Sequence, residues 1–180
     1  MNNKKTYEGN LLLYPCPTVL VTSKWKDCED VLTVSWAGIA SSHPEYITIA
    51  INRKRYSYSL IKESLKFVVN IPNSDMLEKV DYCGSNSGRD VDKFQSCNFK
   101  KINCENEYIL LEECPVNIIC TVEHIYPLGS HDLFIGRVQK KYVDNTITDI
   151  HEQLKPIVYF RPNYYDIGED VLGYYGFTKD

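Results

Sequence analysis

A chain of 180 residues with 43% hydrophobic side chains is long enough to bury one core and too apolar to remain disordered. Its formal net charge of -4 argues against general nucleic-acid affinity, which needs a basic face to displace counterions. A single domain over 1–180 is the expectation. The opening segment, MNNKKTYEGNLLLYP, holds only a three-leucine run before Tyr14 and Pro15, too short for a signal peptide or a membrane span. A cytoplasmic protein without membrane association is therefore expected.

The next segments are rich in β-formers. TVLVTS (18–23), LTVSWAGIAS (32–41) and YITIAIN (46–52) read as strands. In the third, Ile47, Ile49 and Ile51 share one face and Thr48, Ala50 and Asn52 the other. SYSLIKESL then switches to helical spacing, with Leu60, Ile61 and Leu65 on one side. KFVVNIP returns to strand and stops at Pro72. SDMLEKVDYCG predicts a short helix with Ser74 or Asp75 as N-cap and Gly84 as terminator. GRDVDKF predicts another helix start, with Asp90 as N-cap and Lys93 one turn in. NIICTVEHIY and HDLFIGRVQKKYV form a hairpin about the turn PLGS. PIVYF reads as a last strand before the aromatic tail NYYDIGEDVLGYYGF. Many strands, few helices and short turn-rich connections predict a mainly β (α+β) fold, an antiparallel barrel with helices packed outside.

Seven cysteines, Cys16, Cys28, Cys83, Cys97, Cys104, Cys114 and Cys120, include no Cys-x-x-Cys pair and no Cys/His spacing of a zinc finger. Reduced, scattered thiols and no metal site are expected. Phosphate loops of the G-x-x-x-x-G-K-[ST] or G-x-G-x-x-G type are also missing from the sequence.

One junction stands out. In INRKRYSYSLIKES, the cations Arg53, Lys54 and Arg55 lie between a strand and a helix start that carries Ser57 and Ser59. A helix N-terminus offers unpaired N–H groups and a partial positive charge, so it binds anions. Each cation within about 4 Å of a phosphate gains roughly 4 kcal/mol of gross attraction at an effective dielectric near 20, most of it offset by desolvation. The dipole adds about 0.3–1 kcal/mol. The alternative is a solvated turn whose serines merely cap the helix.

Three segments together are specific. CPTVLVTS followed by LTVSWAGIASSHPEYITIAINRKRYSYSLIKESLKFVVNIP, then DYCGSNSGRDVDKF, then GSHDLFIGRV, resemble in order and spacing the flavin reductase-like family of FMN-binding split-barrel proteins, and within it the flavoredoxin branch. The resemblance runs from about Leu13 to Phe177. It implies an FMN-binding split barrel with the cofactor near a homodimer interface. It also implies that Arg55, Ser57 and Ser59 hold the FMN phosphate, the serines standing where relatives often carry threonine.

Further residues follow from the same resemblance, each with a structural alternative. Trp36 is either core filler or, with Ala40, Ser41 and Ser42, a wall for the isoalloxazine. Lys93 is either a solvated ion-pair partner or a cation near the flavin, where a positive neighbour would favour the anionic reduced ring. His131 is either a hydrogen-bonded turn residue or a flavin contact with a candidate catalytic role. Tyr164 or Tyr165 edges the flavin or packs as part of the tail, and alternation in an extended segment sends the two opposite ways.

The implied function is an FMN-binding oxidoreductase. Electrons would pass from NADH or NADPH, a transient co-substrate, through FMN to free flavin, iron or a protein acceptor. No Ser-His-Asp or paired-carboxylate constellation stands out, and flavin chemistry requires none. Two alternatives remain open at the level of sequence. One is a non-catalytic FMN-binding electron carrier or flavin store. The other is a β-barrel that stacks single-stranded nucleic acid on its fourteen tyrosines, which the acidic balance disfavours.

Overall fold

Along Val19–Trp25 successive side chains enter two different interiors. Val19 and Val21 face one core and Leu20 the other, because Cβ atoms alternate across a strand. The neighbouring strand repeats the division, with Leu32 and Val34 on the first side and Val31 on the second. A sheet apolar on both faces needs cover on both. Its curvature supplies the first and its helices the second.

The computed structural model describes residues 3–9, 11–105 and 107–168. The chain begins with β1 (Cys16–Pro17), β2 (Val19–Trp25), β3 (Cys28–Val34), β4 (Ala37–Ser42) and β5 (Glu45–Asn52). Then come α1 (Tyr56–Ser64), β6 (Lys66–Ile71), a 3-10 turn (Ser74–Met76), α2 (Leu77–Ser85) and α3 (Lys93–Ser96). The second half holds β7 (Lys101–Cys104), β8 (Tyr108–Leu111), β9 (Val116–Leu128) and β10 (His131–Val143). It ends with α4 (Ile150–Gln153), β11 (Ile157–Phe160) and β12 (Asn163–Asp166). No described helix is long and apolar enough to cross a membrane.

Seven strands form one antiparallel sheet in the order β3-β2-β6-β9-β10-β5-β4. Its edge strands, β3 and β4, are consecutive in the chain. The sheet therefore curls until its two ends are joined at Ser35–Trp36, where the Ala50 N–H donates to the Trp36 carbonyl at 2.8 Å. This is the expected split barrel. Phe67, Phe134, Ile49 and Ile51 fill its interior, each fully buried and each contributing roughly 1.5–3 kcal/mol by leaving water. The second core packs α2, α3 and the β7–β8 hairpin against the outer face through Val80, Phe94, Ile109 and Leu111.

Several expectations need correction. LTVSWAGIAS is two strands, since the alternation conceals the corner at Ser35–Trp36. Leu65 is not on the buried side of α1. It terminates the helix in the left-handed region at φ 56° and is exposed. The N-cap of α1 is Arg55 in extended backbone without a side-chain cap bond, so neither Ser57 nor Ser59 caps it. Asn73, not Ser74 or Asp75, precedes the 3-10 turn, and Gly84 lies within α2 instead of ending it. That glycine lets α2 sit close on β3, since a Cβ there would meet the Thr33 Cβ at 3.2 Å. Asp92, not Asp90, caps α3 by accepting from the Gln95 N–H at 3.0 Å, which makes Lys93 the first helical residue. The β9–β10 turn is shorter than PLGS. Only Gly129 and Ser130 stand outside the strands, Gly129 at φ 68°. The aromatic tail starts as β12, and its residues 169–177 lie outside the described residues.

Candidate functional site

The strand-to-helix junction after β5 sorts its three cations. Arg53 pairs with Asp132 at 2.7 Å. The Lys54 ammonium has no hydrogen-bond or ion-pair partner among the described residues, and Lys54 borders the larger of two hollows. Its carbonyl accepts from Arg89 at 2.9 Å. Arg89 also lies over the Tyr56 ring, 5.4 Å from its centroid. The Arg55 guanidinium likewise has no hydrogen-bond or ion-pair partner among the described residues, and it lines both of these adjoining hollows. It also stands at the open first turn of α1, where helix geometry leaves N–H groups without intrahelical acceptors.

The two hollows share Leu32, Asn52 and Arg55. The smaller, about 170 Å³, runs along the β3–β4 corner and is walled by Val34, Ser35, Trp36, Ala50 and His131. The larger, about 330 Å³, lies between the start of α1 and the loop after α2, walled by Tyr56, Asn86, Ser87 and Gly88. Joined at Arg55, they make a groove within the usual size of a small-molecule site, about 300–1,000 Å³. The smaller hollow carries the Trp36 and His131 rings, the larger is bordered by Asn86, Ser87 and Gly88, and Arg55 is common to both. That division suits a ligand with a planar ring at one end and an anionic group at the other.

Trp36 is 47% exposed, so it is not core filler. Its ring meets His131 at a centroid distance of 4.5 Å and a tilt of 44°. His131 opens β10 opposite Asn52 of β5, which brings the turn histidine to the groove. Its Nδ1 shares a hydrogen bond of 2.9 Å with the Ser130 hydroxyl. Burial, and then the neighbouring Arg55 charge, hold the imidazole below its ordinary pKa.

Ser57 is fully buried and donates its hydroxyl to Asp30. Ser59 donates to the Tyr56 carbonyl at 2.9 Å, within its own helix. Lys93 is not the solvated partner that its helix position suggested. Its ammonium is buried, 3.1 Å from Asp30, and it donates to the carbonyls of Val31 at 2.8 Å and Cys83 at 3.2 Å. Asp30 was not singled out from the sequence, nor were Asn52, Ser87 and Gly88. The run SNSGRD, with its hydroxyls and glycine ahead of a helix, was the signal for the last two.

The remaining expected residues lie outside the groove lining. Ala40 occupies an irregularity between β4 and β5, where the register shifts between Ile39 and Ser41. Ser41 and Ser42 continue β4 at the sheet edge. Tyr164 packs against the second core and donates to Asp81 at 3.2 Å, its phenol pushed up to about 12 by burial and then by Asp81. Tyr165 is exposed. In this chain Tyr164 is therefore the inward-facing member of the pair.

Residues 11–168 match the family model described as flavin reductase like domain. An uncharacterized protein of Archaeoglobus fulgidus is 32% identical over 127 residues, covering 70% of this chain and 71% of that protein. Among solved structures, flavoredoxin from Methanosarcina acetivorans superposes with a TM-score of 0.87 at 27% identity, covering 96% of this chain and 95% of that one. Flavoredoxin of Desulfovibrio vulgaris (Miyazaki F) gives a TM-score of 0.85, also at 27% identity, covering 96% and 98%.

Proposed function

The chain belongs to the flavin reductase-like family, and from that premise we propose that it is an FMN-binding oxidoreductase. Electrons pass from NADH or NADPH through FMN to free flavin, iron or a protein acceptor. The observation that carries this reading is Arg55, a guanidinium without a partner among the described residues, at a helix start and set between an aromatic-walled hollow and an amide-rich one.

The residues present fit FMN. A phosphate suits Arg55, the first-turn N–H groups of α1 and the loop at Ser87–Gly88. Gly88 lets that loop pack directly against Asp30, since a Cβ there would lie 2.3 Å from Asp30 Oδ1. The ring suits the wall of Trp36 and His131, while Ala50 and Ser35 keep that hollow open to a flat group. FMN, when bound, supplies hydride acceptance and onward electron delivery, so the protein needs only to anchor, orient and leave one ring face accessible. His131, held below its ordinary pKa, is neutral at neutral pH. It serves as a hydrogen-bonding and packing group, and its proton is taken up only in acid.

The functional unit is a homodimer in this reading. Leu11, Leu13 and Trp36 line one hollow with Tyr159 of β11, and Ile39 is exposed on the adjoining strand β4. Such a contiguous exposed apolar face marks an interaction surface. Ala40, Ser41, Ser42 and Tyr165 lie outside the groove lining of the same chain, so in this reading they would meet a flavin across the assembly.

Purified protein tests the core of the reading. It should be yellow, and its chromophore should leave on denaturation and chromatograph as FMN. Anaerobic stopped-flow mixing with NADH and with NADPH should bleach that chromophore. Bleaching by neither would leave an electron carrier or flavin store. Colourless protein indifferent to added FMN would remove the flavin altogether.

A further inference from the structure

Three separate segments wall the amide-rich hollow, and all three converge on one buried carboxylate. Ser57 of α1 donates to Asp30 Oδ2. Lys93 of α3 pairs with Asp30 Oδ1 at 3.1 Å. Gly88, in the loop between α2 and α3, lies so close to Asp30 that an added Cβ would sit 2.3 Å from Oδ1 and 2.6 Å from Cγ. Asp30 itself is 2% exposed and lies on β3, the edge strand that borders the groove. Lys93 closes the arrangement. Its ammonium has three N–H groups, and Asp30, the Val31 carbonyl and the Cys83 carbonyl take all three.

We propose that the buried Asp30–Lys93 pair sets the charge beneath the anion cradle, with Lys93 acting as the counter-charge to Asp30, its donors already taken, and not as a phosphate ligand. The inference rests on the FMN reading above. Its electrostatic content is specific. A carboxylate under a phosphate opposes that phosphate unless a cation neutralises it. The buried pair makes this ground neutral, so Lys54, Arg55 and the first turn of α1 set the sign of the field in the groove. Removing Lys93 alone leaves an uncompensated negative charge beneath the cradle. Removing both charges restores neutrality while keeping an acceptor for Ser57.

The test compares FMN with riboflavin, which shares the ring and ribityl chain but has no phosphate. Dissociation constants for both are measured by fluorescence titration on the wild type, Lys93→Met, Asp30→Asn and the double variant. Lys93→Met should weaken FMN roughly tenfold or more while changing riboflavin little. The double variant should recover most of the wild-type ratio of FMN to riboflavin affinity. Asp30→Asn should hold FMN at least as tightly as the wild type does. A purely structural role would lower both ligands together, and that result overturns the proposal, as does failure of the double variant to recover the ratio. Should Lys93→Met not fold, Asp30→Asn and the double variant carry the test, and a fall of the ratio in either overturns it. A wild type that prefers FMN, with variants that leave this preference unmoved, sinks only this inference. A wild type that binds neither flavin sinks the FMN reading with it.

Discussion

Arg53 gives both Nε, at 2.8 Å, and Nη2, at 2.7 Å, to a single oxygen of Asp132, while the Tyr58 hydroxyl donates to the other at 2.7 Å. One of the junction's cations is thus committed to the fold, tying the turn after β5 to the start of β10. Arg55, two residues on, is left for the groove.

The separation predicts different consequences for the two arginines. Arg55→Ala should weaken FMN about ten- to hundredfold, the size of one charge-assisted hydrogen bond of roughly 1.5–3 kcal/mol. Riboflavin affinity should move by much less. Arg53→Ala should instead lower the thermal midpoint, because Asp132 keeps its charge with only Tyr58 as partner, and should leave the FMN-to-riboflavin ratio close to that of the wild type. Titrations and melting curves on the two variants check both statements. Equal loss of the two ligands in Arg55→Ala would place the phosphate elsewhere.

Acid should destabilise the protein in two steps. The folded-state pKa of His131 is depressed below its ordinary 6.5 by burial and by Arg55. The unfolded chain therefore takes up that proton first, and stability falls as pH drops below about 6.5. Once pH is under the folded-state value both states are protonated and this loss stops growing. Asp132 is depressed below its ordinary 3.8, chiefly by its hydrogen bond to Arg53. Its contribution is fully present above 3.8 and is lost as pH falls through the lower folded value. Melting curves across this range on the wild type and His131→Asn should show the first step only in the wild type. In Arg55→Ala the His131 titration followed by NMR should move upward, since one cause of its depression is gone.

How much of this was legible in the sequence depended on range. The junction was readable because its signals are local: period-two alternation in β5, three adjacent cations, then helical spacing. The barrel followed from strand count and short connections. Asp30 was not readable, because its partners Ser57 and Lys93 lie 27 and 63 residues away and nothing in KDCEDV marks a buried charge. The corner at Ser35–Trp36 was hidden by apolar alternation that continues through it. The β7–β8 hairpin escaped notice because its strands are four residues each and sit among charges. Three of the proposed site's segments are therefore adjacent only in space, and their convergence on Asp30 could not be read along the chain.

Trp36 supplies a reporter for where the ring binds. The chain has two tryptophans, and Trp25, at the end of β2, does not line the groove. A flavin seated against Trp36 and His131 should quench Trp36 emission strongly by proximity. In Trp25→Phe, added FMN should therefore quench most of the remaining fluorescence, whereas in Trp36→Phe it should quench little. Comparable quenching in the two variants would place the ring away from the β3–β4 corner.

The exposed face beside the groove makes a prediction about assembly. Leu13 and Ile39 are each 86% exposed, on the segment before β1 and on β4, and β1 packs beside β4. Leaving such side chains in water forfeits the roughly 1.5–3 kcal/mol that burial of each would contribute, so a second copy covering them has a ready driving force. A stable dimer also needs about 800 Å² from each partner. Light scattering should accordingly give about twice the 20.8 kDa of one chain. Ile39→Lys should shift the mass toward the monomer without lowering the thermal midpoint of the isolated chain, because the substituted side chain touches little of its own fold. In the homodimer reading, FMN affinity should fall with the dimer. A wild type that stays monomeric as concentration rises, yet binds FMN tightly, would show that one chain suffices to hold the cofactor.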